Sequence, residues 1–290
     1  MTSVKRTLRP ENITPAELGG NADEYDLPGL PRYALLPGDP GRVSLMASQW
    51  RKDSVEEHTL RRGYRGAIGD YNGARISAFS TGIGGPSAEG VLTRLAGAGV
   101  DTVIRVGTTG AVQEHIEVGD LIINDASVRM DGTSNLYVRP EFPAVASFEV
   151  TTALVEAAED LGVRYHVGTG YTSASFFTGQ FRTTLGGYRP TRLDSEFEDM
   201  RQAGVTNFEM EGATIMTLAR IFGLRAGMCA AVVAHRITGE WDTTAKGEAN
   251  ACLVAAEAIR LLTAWDEARR KAGRRHFSPG ALADAGGDPR

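Results

Sequence analysis

Short apolar runs alternate along this chain with longer stretches in which apolar residues recur at helical spacing. The short runs predict strands at residues 33–37, 64–68, 75–80, 103–106, 120–126 and 226–233. The dipeptide Asn72-Gly73 separates two of these runs and predicts a hairpin turn, because both residue types tolerate positive φ. The longer stretches predict helices at about residues 40–50, 86–98, 147–161, 211–222 and 247–268.

The ends of the predicted helices carry signals of their own. Pro86 suits the first turn of its helix, and Gly223 suits the position just after the helix at 211–222. Ser195 and Glu198 have the spacing of a capping box, which predicts one further helix. Because strands alternate with helices, we expect an α/β fold with a layered sheet that is parallel in part. The predicted organisation is an N-terminal arm, one domain and a disordered tail, at residues 1–30, 31–270 and 271–290.

The composition is that of a globular protein, with 42% hydrophobic and 23% charged residues among 290. A net charge of −5 gives no electrostatic basis for nucleic acid or an anionic membrane as a partner. The first residues include no apolar signal segment, and no run approaches the roughly 20 apolar residues of a membrane span. Cys229 and Cys252 lack zinc-ligand spacing and lie among apolar residues, which predicts buried thiols, no metal site and a cytoplasmic location.

Glycine-rich turns follow several predicted strands, at residues 37–42, 80–87, 105–110 and 178–182. Ligands of open α/β sheets bind at the carboxyl ends of strands, and glycine lets backbone N–H groups approach an anion there. Arginines within these turns offer paired donors to phosphate oxygens. The second turn also suggests a dinucleotide site, but Ser87 occupies the position of the third glycine.

Arg105 lies within the apolar run at 103–106. Burying an arginine is costly unless an anion accompanies it, so this position predicts an anionic partner for Arg105.

Three motifs together resemble the nucleoside phosphorylases of the purine nucleoside and uridine phosphorylase superfamily. They are GDPGR at residues 38–42, RVGTTGAVQEHIEVGD at 105–120 and NFEME at 207–211. The likeness runs from about Leu35 to the last predicted helix and is strongest to the bacterial uridine phosphorylases. It implies a three-layer α/β/α sandwich with a mixed central sheet, and an enzyme that uses phosphate to split uridine into uracil and ribose 1-phosphate.

The resemblance also implies a role for individual residues. Those for phosphate are Gly38, Arg42, Arg62, Arg105 and Thr108; for ribose Thr108, Glu209, Met210 and Glu211; for the base Phe176, Gln180, Arg182 and Arg236. Arg105, Glu211 and Arg182 are the predicted catalytic residues, because the transition state carries positive charge on the sugar and growing negative charge on the base. For Arg42 a charge on a helix surface, and for Phe176 simple core packing, are the alternative interpretations.

In the family, the arginine at the position of Arg62 is donated across a subunit interface. The resemblance therefore implies dimers that share active sites and assemble into a hexamer, with phosphate as co-substrate and no other cofactor. Gly63 stands where the family has a glutamate that helps bind a monovalent cation, so no cation is predicted. No histidine precedes His58, although related enzymes recognise the ribose 5′-hydroxyl with a histidine from the N-terminal arm.

Several other functions stay open. Ala174 stands where purine-specific members carry an aspartate that protonates the leaving base, which argues against purine or methylthioadenosine cleavage. Arg42 and Arg105 argue against a hydrolase that uses water in place of phosphate. A phosphorylase of a modified nucleoside, a nucleoside-binding protein without turnover and a dinucleotide-dependent oxidoreductase are the remaining alternatives.

Overall fold

The computed structural model describes residue 25, residues 27–242, residue 244 and residues 246–278. In these ranges the strands are β1 (Tyr33–Pro37), β2 (Glu56–Thr59), β3 (Arg65–Tyr71), β4 (Ala74–Phe79), β5 (Thr102–Ala111), β6 (Leu121–Met130), β7 (Ala144–Val145), β8 (Tyr165–Ser173), β9 (Asn207–Glu209) and β10 (Arg225–His235). The α-helices are α1 (Pro40–Ser48), α2 (Gly85–Gly97), α3 (Phe148–Asp160), α4 (Leu193–Gln202), α5 (Gly212–Phe222) and α6 (Lys246–Lys271).

All of these strands belong to one mixed sheet, in the order β10-β6-β8-β9-β5-β1-β4-β3-β2, with β7 beside β6. β10 pairs with β5 as well as with β6, so that β5, β10, β6, β8 and β9 close into a ring. β1 runs parallel to both of its neighbours, β4 and β5. The carboxyl ends of β1 and β5 therefore lie side by side, and the segments that follow them meet at one edge.

Helices cover both faces of the sheet. On one face, α1, α3 and α6 pack with the sheet around a core that includes Met46, Leu154 and Ile259. On the other face, α2 and α5 enclose a second core, which includes Leu92 and Leu218. The predicted α/β/α layering with a mixed central sheet is confirmed.

The predicted elements agree with the structure where local signals are strong. In the hairpin, Tyr71 pairs with Ala74, and the turn between them has φ of 48° at Asn72 and 87° at Gly73. Helix α5 ends at Gly223, which has the left-handed conformation expected of that position. The capping box is wrong: α4 begins at Leu193, and Ser195 lies inside it, where its hydroxyl donates to the carbonyl of Arg192 at 2.9 Å.

Strands β2, β7, β8 and β9 were not predicted from the sequence. β8 contains two glycines and many polar residues, and glycine is depleted in strands. Its glycines are required by tertiary contacts: a Cβ built on Gly168 lies 2.4 Å from the Thr206 methyl, and one on Gly170 lies 2.9 Å from the Asn124 amide nitrogen. The local sequence pattern does not show that glycine is required at these two positions.

The predicted arm lies mostly outside the described residues. Of the predicted tail, Lys271 ends α6, and the Phe277 ring stacks on Trp265 at 4.6 Å between centroids. Residues 279–290 are outside the described ranges. Both cysteines are buried free thiols, and burial raises the pKa of Cys252 to about 12. None of the helices in the described part combines the length and the apolar character needed to cross a bilayer.

Candidate active site

A cavity of about 720 Å³ opens at the carboxyl ends of β1 and β5. Its walls come from the turn after β1, the segment between β2 and β3, the loop that leads into α2, the second half of β5, the turn after β8, β9 with the residues that follow it, and the end of β10 with the segment after it. The predicted site residues that line it are Gly38, Arg42, Arg62, Arg105, Thr108, Phe176, Gln180, Arg182, Glu209, Met210 and Glu211. The fold thus brings residues from seven separate segments of the chain into one pocket.

Arg105 lines this cavity and is 5% exposed. Its Nη2 donates to Glu211 Oε2, and its Nε lies 3.9 Å from Glu209 Oε2. The anionic partner expected for a buried arginine is therefore a carboxylate of the same chain. Nε itself is buried and has no hydrogen-bond partner among the described residues.

Two glycines hold the Arg105 guanidinium between them. A Cβ built on Gly38 lies 3.4 Å from Nη1, and one on Gly107 lies 3.1 Å from Nη2. A side chain at Gly107 would crowd the guanidinium, and one at Gly38 would press on the Gly82 carbonyl oxygen at 3.2 Å. Glycine is therefore required at these two motif positions for lack of space, and not only for the backbone freedom it gives.

Glu209 and Glu211 differ in their surroundings. Glu209 Oε2 accepts the backbone N–H groups of Glu211 and Gly212 at 2.8 Å each, and its Oε1 accepts the Thr172 hydroxyl. Burial, followed by the nearby charge of Glu211, raises the pKa of Glu209, while Arg105 opposes this shift. Glu211 Oε1 accepts the Gly84 N–H at 2.5 Å. Glu209 therefore fixes the start of α5, and Glu211 faces the cationic part of the cavity.

Arg42 is 8% exposed, so the alternative of a helix-surface charge is wrong. Its Nη2 and Nε donate to Glu248 Oε2 at 2.6 and 2.9 Å. Its Nη1 lies 3.4 Å from the Val106 carbonyl oxygen. Sequence reasoning missed Glu248, because an acidic residue in the first turn of a helix is common and carries no functional signal.

In the same cavity, Arg182 lies against two aromatic rings. Its guanidinium carbon is 4.7 Å from the Phe176 centroid and 5.5 Å from the Trp241 centroid. Phe176 is 41% exposed and lines the cavity, so the core-packing alternative is wrong. Gln180 is buried beside them at 4% exposure. Trp241 was not predicted; its only sequence signal is a large aromatic residue in an otherwise polar segment.

The profile of the phosphorylase superfamily matches residues 32–264. The chain belongs to this superfamily. It is 54% identical to the uridine phosphorylase of Thermococcus kodakarensis over 249 residues, which cover 86% of this chain and 88% of that protein. It is 41% identical to the uridine phosphorylase of Salmonella typhimurium over 242 residues, covering 82% and 94%. The guanosine phosphorylase of Halorubrum lacusprofundi is 36% identical over 206 residues, covering 71% and 79%.

Arg236 is the one predicted residue of this phosphorylase that does not line the cavity in the described part of the chain. It lies behind the wall, where Nη1 donates to the Gln180 carbonyl at 2.8 Å and the guanidinium carbon lies 5.6 Å from the Phe208 centroid. Burial, followed by the charges of Arg182 and Arg189, lowers the pKa of Arg236 to about 10. Arg236 therefore supports the turn that carries Gln180.

Arg62 lines the cavity of its own chain, with a left-handed φ of 62° that is unusual for a residue with a side chain. The family pattern instead implies donation to a neighbouring subunit. Beside Arg62, the Tyr64 hydroxyl is 2.5 Å from Ser87 Oγ, and both residues line the cavity without having been predicted.

Ala174 does not line this cavity. It lies on a neighbouring one of about 390 Å³, together with Met130, Ser173 and Met200. The described residues contain no group of three or more His, Cys, Asp or Glu side chains that could hold a metal ion.

Proposed function

We propose that this chain catalyses the phosphate-dependent cleavage of uridine to uracil and ribose 1-phosphate. The observation that carries the proposal is that one cavity is lined by Arg105 paired with Glu211, by Arg42, and by Arg182 flanked by aromatic rings. Phosphate, a sugar and a base need, in that order, cations, a carboxylate and a polar edge beside an aromatic surface. The identity of 54% and 41% to two uridine phosphorylases supports the same substrates.

At the phosphate end we assign Gly38, Arg42, Arg62, Arg105 and Thr108 to the phosphate. Arg42 is held by Glu248 and by the Val106 carbonyl, and it presents its positive charge to the cavity. Arg105, which lines the same cavity, contributes its positive charge. Phosphate held by these donors has lost much of its freedom before attack on C1′, and such positioning lowers the barrier of a two-substrate reaction.

In the middle of the cavity we assign Thr108, Glu209, Met210 and Glu211 to the ribose. Glu211 is the carboxylate that accepts hydrogen bonds from the 2′- and 3′-hydroxyls, because each of its oxygens has one partner, whereas Glu209 already accepts two backbone N–H groups and the Thr172 hydroxyl. Its negative charge also stabilises the cationic sugar of the transition state. Glu209 acts by holding Glu211 in place.

At the far end we assign Phe176, Gln180 and Arg182 to the base, with Arg236 supporting them from behind. The Gln180 amide offers a donor and an acceptor to the N3–H and carbonyl edge of uracil. Arg182 stabilises the negative charge that develops on the base as the C1′–N bond breaks. Phe176 supplies an apolar face for the ring.

The test is to incubate the purified protein with uridine, thymidine, cytidine, inosine and guanosine, with and without phosphate, and to follow base release by absorbance. We expect uracil to be released only when phosphate is present. Release without phosphate overturns the proposal in favour of a hydrolase. Binding of uridine without release in either buffer overturns it in favour of a nucleoside-binding protein.

Guanosine is the second candidate substrate, since the chain is 36% identical to a guanosine phosphorylase over 71% of its length. Gln180 and Arg182 at the base end favour the pyrimidine. If guanosine or inosine gives the higher kcat/KM in the same assay, the pyrimidine assignment is wrong.

We also propose a cytoplasmic homo-oligomer, built from dimers that share active sites and assembled into a hexamer. In support, the cavity-lining Ile83 is 77% exposed and Leu136 is 88% exposed, and such apolar surface favours contact with another subunit. Light scattering measures the subunit number. Co-expression of an Arg62→Ala subunit with an Arg182→Ala subunit tests the sharing: mixed dimers regain activity only if Arg62 serves the neighbouring site.

A further inference from the structure

The segment after β10 folds back on that strand and carries Trp241 to the cavity. The His235 N–H donates to the Glu240 carbonyl at 2.9 Å, and the Asp242 N–H donates to the Val233 carbonyl at 2.8 Å. Trp241 forms a β-bridge with Ala234 between these two bonds. Its backbone is therefore anchored to the sheet on both sides, and the indole is held at the cavity wall.

His235 closes the turn inside this segment. Its ring is 4% exposed, and its Nδ1 accepts the backbone N–H groups of Ile237 and Thr238 at 3.2 and 3.1 Å. The Gly239 N–H donates to the His235 carbonyl at 2.9 Å. These bonds give the turn a defined shape, so the position of Trp241 is set by the fold.

Trp241 contacts the group that faces the base. The Arg182 guanidinium lies between the Trp241 and Phe176 rings, and burial lowers the pKa of Arg182. In the described part of the chain Arg182 Nε is buried without a hydrogen-bond partner. An arginine with this environment is held by its two aromatic neighbours, and because it lines the cavity its charge can meet a ligand there.

We propose that Trp241 determines base specificity. Its indole fixes Arg182 against Phe176 and closes the base end of the cavity to the size of a single-ring base. This inference rests on the proposed function and deepens it, because it names the residue that selects a pyrimidine over a purine. The indole is 53% exposed, so it forms the outer wall, and its removal opens space there for a second ring.

Replacement of Trp241 should affect pyrimidine and purine nucleosides in opposite directions. In Trp241→Ala, Arg182 loses one of its two aromatic contacts, and we expect KM for uridine to rise about tenfold, near the upper range for such contacts. The enlarged end accepts inosine and guanosine more readily, so the ratio of kcat/KM for uridine to that for inosine falls by at least about tenfold. The KM for phosphate stays within about twofold, because Trp241 does not touch the phosphate end.

The experiment compares the wild type with Trp241→Ala, Trp241→Phe and Tyr188→Ala. Tyr188 is an exposed aromatic residue outside the cavity and is the matched control. Steady-state kinetics with uridine and inosine give the selectivity. Indole fluorescence is measured in parallel during titration with uracil, which requires no turnover. Trp50 and Trp265 are buried in the core, so a change in fluorescence on uracil binding reports Trp241.

We expect Tyr188→Ala to match the wild type, Trp241→Phe to retain part of the selectivity, and the uracil-dependent fluorescence change to vanish in Trp241→Phe. A wild type that cleaves uridine, with Trp241 variants of unchanged selectivity and unchanged KM for uridine, overturns this inference and leaves the proposed function intact. A wild type without turnover, whose fluorescence still responds to uracil through Trp241, overturns the proposed function while supporting Trp241 as a base contact. No response in either assay overturns both. If Trp241→Ala does not fold, Trp241→Phe decides the question.

Discussion

Arg42 and Glu248 form an ion pair across 206 positions of the sequence, with 2.6 Å between Nη2 and Oε2 and 2.9 Å between Nε and the same oxygen. The pair joins the first turn of α1 to the first turn of α6 beside the cavity. Because one carboxylate oxygen accepts from both Nε and Nη2, and Nη1 donates to the Val106 carbonyl at 3.4 Å, Arg42 is held in one orientation. The site for an anion is therefore preorganised by a residue that is not itself part of the cavity lining in the described ranges.

Replacement of Glu248 by glutamine should lower stability by about 1–2 kcal/mol, because it leaves the Arg42 charge buried without its partner, while partial exposure of Glu248 limits the loss. Phosphate supplies a new partner for Arg42. We therefore expect phosphate to raise the melting temperature of Glu248→Gln by more than it raises that of the wild type, as measured by calorimetry.

The control for this variant is Glu267→Gln, which removes a carboxylate from the exposed pair between Glu267 and Lys271 on the same helix. Its melting temperature and its response to phosphate should match those of the wild type. If phosphate instead stabilises Glu248→Gln less than the wild type, Glu248 serves to orient Arg42 more than to neutralise it.

Arg182→Ala and Arg105→Gln should affect different substrates: the first should affect uridine and the second phosphate. Arg182 faces the base, so its loss should reduce kcat/KM for uridine about 10²–10³-fold with little change in the KM for phosphate. Arg105→Gln keeps a donor for Glu211 but removes the charge, so the KM for phosphate should rise most. Initial rates over a grid of both substrates give all the constants. Equal losses for both substrates in Arg182→Ala would mean that the base end of the cavity has been misassigned.

Gly107→Ala should reduce activity without unfolding the protein. The new methyl lies 3.1 Å from Arg105 Nη2 and 3.2 Å from Cζ, and the guanidinium cannot move away because Glu211 and the Leu36 carbonyl hold it. We expect a loss in kcat/KM of about 10²-fold, since small displacements of a catalytic group have effects of that size.

The matched control for Gly107→Ala is Gly90→Ala. Its new methyl meets Arg94 Nη1 at 3.0 Å, which is the far end of a side chain on the same helix, α2. That contact can relax, and alanine favours the helix, so Gly90→Ala should remain active. Equal activity of Gly107→Ala and the wild type would show that Arg105 tolerates displacement.

Glu209 should make the protein less stable as the pH rises. Its folded-state pKa is raised by burial, so between the ordinary glutamate value of about 4.3 and the raised value the folded state binds more protons than the unfolded state. The stability that this proton provides is fully present below the unfolded pKa and is lost as pH increases through the folded pKa.

Glu209→Gln removes the titration. Plotted from pH 4 to about pH 8, the melting temperature of Glu209→Gln minus that of the wild type should therefore grow with pH. The slope is the test, since loss of one carboxylate oxygen shifts the variant by a constant amount at all pH values. A flat difference would mean that the Arg105 charge keeps Glu209 ionised throughout.

Local signals predicted what local interactions decide. The hairpin at Asn72-Gly73 and the end of α5 at Gly223 both depend on φ > 0 at one or two positions, and the sequence shows which residues tolerate it. The capping box failed because Ser195 had a competing partner, the Arg192 carbonyl one turn earlier. Strand β8 was not predicted because its glycines make room for Thr206 and Asn124. These residues are distant in sequence, so the local pattern does not show the requirement.

In the candidate site, too, some residues could be predicted from local motifs and others could not. The motifs indicated Gly38, Arg105 and Glu211 as one group, and the structure brings these residues together. The sequence could not give the partners that fix them, since Glu248 and Trp241 belong to no motif and meet Arg42 and Arg182 only after folding. It also could not separate the tasks of Glu209 and Glu211, because their difference lies in which oxygens the backbone occupies.

By itself, then, the sequence determined the alternation of strands and helices, the types of residue that could hold phosphate, and the superfamily. Periodicity, turn chemistry and motif residues are properties of short segments, and they persist in any tertiary context. Only the tertiary structure decided that β10 pairs with β5 as well as β6, that Glu248 neutralises Arg42, and that Trp241 confines Arg182. These are contacts between distant segments, whose free energy depends on burial and geometry that no local pattern encodes.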